Sequence, residues 1–198
     1  VQPTAAALAL AEAARQMAAG AEQLGQQLLR RSQSSQGKVR LSASQVAASH
    51  LLPPLLAELQ GEEPGIQIEL VATNAVSNLL RREADIALRM LRPQQAGLVA
   101  RKLGELSIQA CAHRDYPARA GTPRRMEELA GHRLIGYDQN EAILKGAAAA
   151  GLPLTRAHFG LRTDDQVAYT QLVQAGAGIG FLASFLVRDT PDLVPLLP

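Results

Sequence analysis

The 198-residue sequence has no tryptophan, and aromatic residues make up only 3% of it. A surface that stacks successive nucleic-acid bases needs a denser supply of rings, so a single-strand-binding platform is excluded. Cysteine occurs once, at Cys111. One thiol cannot build an intramolecular disulfide framework. Its setting in the apolar run 106–112 predicts a buried structural group, not a nucleophile. No apolar stretch reaches the roughly 18–20 residues of a membrane span. The start lacks the basic flank and apolar core of a secretory signal. Together these absences predict a cytoplasmic protein with no membrane partner.

Chemistry-bearing motifs are also scarce. His50, His113, His132 and His158 stand singly, without HxxxH or CxxC spacing, so no metal site and no cofactor are expected. No serine lies in a GxSxG context. Asp164-Asp165 could form a catalytic carboxylate pair, but a capped helix start explains them more simply. No catalytic residue is predicted, and an enzyme is disfavoured. Twenty Lys+Arg against 18 Asp+Glu leave a net charge of +2. That excess is too small to predict a surface that coats nucleic acid. A hydrophobic fraction of 47% is that of an ordinary globular protein and excludes disorder as the main state.

What the sequence does contain is patterned. Residues 1–36 are rich in Ala, Gln and Leu. Leu10, Ala14, Met17, Ala21, Leu24 and Leu28 recur in steps of four and three, a narrow heptad seam. Such a helix could pack on its own domain. Three consecutive heptads favour a dimer helix, with Leu10, Met17, Leu24 and Leu28 as contacts. A polar stretch, 32–37, follows as a linker.

From residue 38, short strand-like runs alternate with helical ones. Strands are predicted at 39–41, 66–70 and 85–89, and again at 98–101 and 106–112. Ser44 and Asn74 are candidate helix caps, and Pro53-Pro54 marks a break or a new helical start. This β-α-β-α-β order argues for a parallel sheet with helices on its faces. A second unit follows, with strands at 134–137, 159–161, 179–182 and 193–198. Its helices are predicted at 126–130, 141–150 and 166–175. Two α/β lobes, 37–112 and 113–198, are therefore expected. The glycine-rich run 175–180 resembles a phosphate loop only in composition. A dinucleotide fingerprint opens a helix, whereas these glycines close one, with Gly176 as the left-handed residue past its end.

Three strand-to-helix turns carry polar side chains: Ser44 with Gln45, Asn74, and Thr163-Asp164. Ligands of open parallel sheets bind beyond the carboxyl ends of strands, and free N–H groups at helix starts favour anionic or polar groups. A cleft between two lobes would gather these turns. The alternative is that all three are plain caps.

In this order and spacing, the segments Leu79-Leu80-Arg81-Arg82-Glu83-Ala84-Asp85-Ile86-Ala87-Leu88-Arg89, Gly37-Lys38-Val39-Arg40-Leu41, Gly131-His132-Arg133-Leu134-Ile135-Gly136-Tyr137 and Val173-Gln174-Ala175-Gly176-Ala177-Gly178-Ile179-Gly180 resemble a LysR-type transcriptional regulator. The resemblance implies a two-lobed, periplasmic-binding-protein-like (type 2) effector domain preceded by a long dimerisation helix. It implies a small-molecule effector, homodimers or tetramers, and DNA contact through a winged helix-turn-helix domain that this chain does not contain. Carried over, Ser44, Gln45, Asn74, Arg89, Thr163 and Asp164 become the effector-binding set. Arg89 suggests a carboxylate-bearing effector. Val46 stands where some members place a second hydroxyl. A return segment from the second lobe to the first is expected to be missing. The competing reading is a periplasmic-type solute-binding protein, which uses the same cleft.

Overall fold

The computed structural model describes residues 36–75, 83–90 and 98–197. The predicted dimer contacts Leu10, Met17, Leu24 and Leu28 lie outside the described residues, as does the helix expected after Asn74. Among the described residues, no helix is long and apolar enough to cross a membrane.

The first lobe is built on β1 (Gly37–Ala43), flanked by β2 (Ile66–Ala72) and β3 (Ile86–Leu88) in the order β2-β1-β3. Both pairings are parallel, with Val39 opposite Ile68 and Ala43 opposite both Ala72 and Leu88. The predicted parallel sheet is therefore present. Arg40 pins its register. Its backbone N–H donates to Asp85 Oδ2 at 2.8 Å, its Nε to the Glu83 carbonyl at 3.0 Å, and its Nη1 to Glu69 Oε2 at 2.8 Å.

After β1 the chain winds through a π-helical turn, Ala47–Leu51, into α1 (Leu52–Glu62). Pro53 and Pro54 occupy the first turn of α1. They lack the N–H groups that would bond the carbonyls one α-turn earlier, so the wider turn meets them there. The core beneath is thin: Ala43, Ala47, Ala48 and Leu52, with Leu41, Leu56 and Leu88 at its margin.

In the second lobe, β4 (Ile108–His113) lies between β7 (Gly180–Ala183) and β8 (Leu193–Pro195), antiparallel to both. β5 (Leu134–Gly136) and β6 (Phe159–Arg162) pair in parallel, and a parallel bridge from Leu134 to Ile179 joins them to the strand leading into β7. The helices are α2 (Tyr116–Ala120), α3 (Ala142–Ala149), α4 (Gln166–Gln174) and α5 (Ser184–Asp189). Period-two alternation in the strands sorts side chains to the two faces of the sheet. Ala110, Ala112, Leu134 and Ile179 join one cluster with Tyr116, Leu129 and Phe159. Cys111, Ile135 and Leu182 join the other with Tyr169, Val173 and Phe185. Burial of Cys111 pushes its thiol up to about 12, consistent with an inert core group.

A division at residue 112 falls inside β4. Both hydrogen-bonded neighbours of β4 belong to the second lobe, so the whole strand does too. The strand predicted at 98–101 does not form. Val99 and Leu103 are exposed, and a strand pattern without a neighbouring edge yields only extended chain. Tyr116 and Pro117 open the short helix α2, with proline tolerated in its first turn.

The glycine-rich run is explained by backbone geometry. Gly176 has φ of 73°, past the end of α4. A Cβ on Gly178 would stand 2.4 Å from the Arg133 carbonyl oxygen, where the neighbouring strand crosses. Gly178→Ala is therefore expected to lower the unfolding free energy by about 1–3 kcal/mol through overpacking. Gly160→Ala, whose added carbon meets nothing nearer than 3.8 Å, should change it by less than about 0.5 kcal/mol. Urea unfolding of the two variants checks this, and equal effects would contradict it.

Candidate functional site between the lobes

The carboxyl end of β1 delivers two side chains to one place. Ser42 and Ser44 are two residues apart and share a face, and both are buried. Ser44 Oγ accepts the Ala47 N–H at 3.4 Å, as a helix-start hydroxyl does, and its carbonyl accepts from Ala48. Ser42 Oγ accepts from Arg89 Nη2 at 2.7 Å. The same guanidinium reaches the Leu88 carbonyl at 3.0 Å and the Ala75 carbonyl at 3.3 Å. Arg89 thus ties the ends of all three strands together. Its partial burial lowers its pKa by desolvation, against which these carbonyls and the hydroxyl hold the charge.

Gln45 and Asn74 lie 29 residues apart and pair twice. The Gln45 N–H donates to Asn74 Oδ1 at 3.1 Å, and Asn74 Nδ2 donates to Gln45 Oε1 at 2.8 Å. Gln45 Oε1 also accepts the backbone N–H of Gln166 at 3.3 Å. Gln166 is the first residue of α4, in the other lobe. One carboxamide oxygen therefore joins both strand-end turns of lobe I to the N-terminus of a lobe II helix. Beside it the contact is apolar: Val46 and Leu51 pack against the cluster of Ile135, Tyr169 and Val173.

On the lobe II side, Asp165 caps α4, its Oδ1 accepting from Val167 and Ala168 at 2.9 and 2.8 Å. Thr163 Oγ1 accepts the Asp165 N–H at 3.1 Å, and the Thr163 N–H donates to the Gly136 carbonyl. Asp164 turns its carboxylate to the loop after β5. Oδ1 accepts from Asp138 and Asn140, each at 3.0 Å, and Oδ2 from Gln139 at 2.8 Å. These N–H groups, foremost those of Asn140 and Gln139, hold its carboxyl below the ordinary value of 3.8. Tyr137 lies beside this turn. Burial raises its pKa, opposed by a hydrogen bond from the Gln166 side chain, while the charge of Asp164 raises it further.

The structure thus brings Gln45, Asn74 and the start of α4 together, with Ser44 and Arg89 on the same lobe I edge. Asp164 is committed to its own loop. Three members escaped the sequence reading. Ser42 was accessible through its two-residue spacing from Ser44. Gln166 and Tyr137 had no local signal, since their partners are distant in the chain.

A family model described as the LysR substrate binding domain matches residues 32–198. The chain belongs to that family. Two curated LysR-domain relatives are named transcriptional regulators. The HTH-type transcriptional regulator CrgA of Neisseria meningitidis is 34% identical over 168 residues, covering 82% of this chain and 56% of that protein. The HTH-type transcriptional activator AaeR of Escherichia coli is 27% identical over 152 residues, covering 74% and 48%. The solved regulatory domain of CrgA superposes with a TM-score of 0.70 at 32% identity, covering 82% of this chain and 81% of that one. The fold is that of the two-lobed, periplasmic-binding-protein-like LysR regulatory domains. The chain spans about half the length of these curated relatives. Regulators rather than transport-associated solute binders or enzymes are its kin, which leaves the solute-binding alternative unsupported.

The lowered Asp164 pKa has a consequence in acid. Its contribution to stability is present above the unfolded carboxyl value and is lost as pH falls through the lower folded value. The stability gap between wild type and Asp164→Asn is therefore expected to be largest above about pH 4 and to close below it. Urea midpoints measured across pH check this, and a gap that stays constant into acid would contradict it.

Proposed function

We propose that this LysR domain is the effector-sensing portion of a transcription regulator, and that the effector binds at the interlobe site. The observation that carries this is the Gln45 oxygen. It occupies the first free N–H of α4, where the helix end favours an anionic or acceptor group. A small carboxylate-bearing metabolite presents the same acceptor with full charge. Entering there, it would compete with Gln45 for the Gln166 N–H and release Asn74 Nδ2. Ser44, Gln45, Asn74 and Thr163 would supply the polar contacts, with Arg89 adding positive charge on the lobe I wall. Asp164 would act by holding the 138–140 loop in place.

Lobe closure would change as the effector replaces the carboxamide. The heptad helix, through Leu10, Met17, Leu24 and Leu28, would join two copies and pass the change on. DNA contact would come from a winged helix-turn-helix domain outside these 198 residues, in a cytoplasmic homodimer or tetramer. This places most of the nucleic-acid binding away from a chain whose own charge is only +2.

Two measurements test the reading. A thermal-shift screen with organic, amino and aromatic acids should find stabilising carboxylates. A ligand at 100 times its Kd stabilises by about 2.7 kcal/mol. The gain should shrink in Thr163→Val and Arg89→Gln. Stabilisation by cationic or neutral compounds alone would contradict the carboxylate assignment. In sedimentation analysis the chain should be a dimer or larger, and Met17→Lys with Leu24→Lys should be monomeric. A strict monomer at high concentration would contradict the dimerising role of the helix.

A further inference from the structure

A cavity of about 420 Å³ lies in lobe II at the opposite end of α4 from the interlobe site. Its polar lining comes from Tyr116, Arg119, His132 and Arg133, with Gly176 at its edge. Helix α4 is nine residues long, so its two ends are about 13 Å apart.

No carboxylate lines this cavity among the described residues. Arg125 and Arg188 elsewhere in the lobe pair with Glu128 and Asp189. Arg119 and Arg133 make no ion pair with any described residue. The contact of Arg119 is to a backbone carbonyl, that of Asp115, at 3.4 Å. The Asp115 carboxylate itself faces His113 Nδ1 at 3.5 Å. The floor is fixed by the buried Tyr116, whose hydroxyl accepts the Arg133 N–H at 3.3 Å and meets His132 Nδ1 at 3.2 Å. That contact uses one ring nitrogen of His132 and leaves Nε2 for a further partner.

Gly176 completes the arrangement. A Cβ there would stand 2.8 Å from Arg119 Nη2, so its lack of a side chain lets the guanidinium lie over the end of α4. There Arg119 offsets the negative partial charge of the helix C-terminus. Two guanidinium groups, an imidazole and a phenol around one cavity match the oxygens of a phosphate or carboxylate.

We infer that this cavity is a second ligand site, specific for a small phosphate- or carboxylate-bearing anion and separate from the interlobe site. Inorganic phosphate and succinate, titrated separately at fixed ionic strength into isotope-labelled protein, test it. Amide resonances of residues 119–121, 131–133 and 176 should shift saturably with at least one of the two. The tighter of the two anions identifies the ligand's head group. The apparent Kd should rise at least tenfold in Arg119→Gln/Arg133→Gln and by less in Arg133→Lys, which keeps the charge and loses the planar fork. Lys145→Gln, which removes one positive charge from α3 outside the cavity, should leave it unchanged. Circular dichroism confirms that each variant is folded; both arginines are exposed. Absence of saturable shifts with both anions, or equal weakening by Lys145→Gln, overturns the inference.

Discussion

The relation between the two lobes turns on one carboxamide. Gln45 is held in place by Asn74 through two hydrogen bonds, and its oxygen is shared with the first N–H of α4. At its far side α4 is anchored to the lobe II sheet. The buried Tyr169 hydroxyl donates to the Ile135 carbonyl at 3.1 Å and accepts the Phe181 N–H at 2.9 Å. A change at Gln45 therefore acts on a helix fastened to two strands. Because the carboxamide is neutral, a charged competitor gains more from the same helix end than Gln45 does. In the proposed function the effector would exchange with this contact.

The energetics of the two lobes differ in a way that suits this role. Lobe II buries two clusters, one on each face of its sheet, with Leu129, Leu134, Ile135, Val173 and Ile179 fully enclosed. Lobe I has a core dominated by Ala43, Ala47 and Ala48, which bury little apolar area per residue. Part of its apolar surface, Val46 and Leu51, is covered by lobe II. The lobe I edge thus leans on a firmer neighbour. Movement between lobes would expose the apolar patch of Val46 and Leu51 and break the Gln45–Gln166 hydrogen bond, a cost that ligand binding would offset.

Much of this arrangement was legible from local pattern. Short strand-like runs marked β1 and β2, the Gly176 stop fixed the end of α4, and order plus spacing identified the family. The lobe boundary was not legible at 112, because β4 is apolar enough for either sheet and only its pairing with β7 and β8 assigns it. The strand expected at 98–101 failed for the same reason: propensity is local and a ladder is not. At the site, the turns were found but their wiring was not. Gln45 meets Asn74 across 29 positions and Gln166 across 121. Asp164 looked like part of a helix start, whereas its neighbour Asp165 caps the helix and Asp164 organises a loop 24–26 positions earlier. Polar residues at a turn announce that they will bond, but not with what.

The central claim is that the Gln45 oxygen holds the start of α4. Amide hydrogen exchange at Gln166 tests it most directly, since the first N–H of a helix has no intrahelical acceptor. Wild type is predicted to show a protected Gln166 amide, and Gln45→Ala an amide exchanging at least tenfold faster while the amide of Phe181 keeps its protection. Equal Gln166 exchange in the two proteins would contradict the claim.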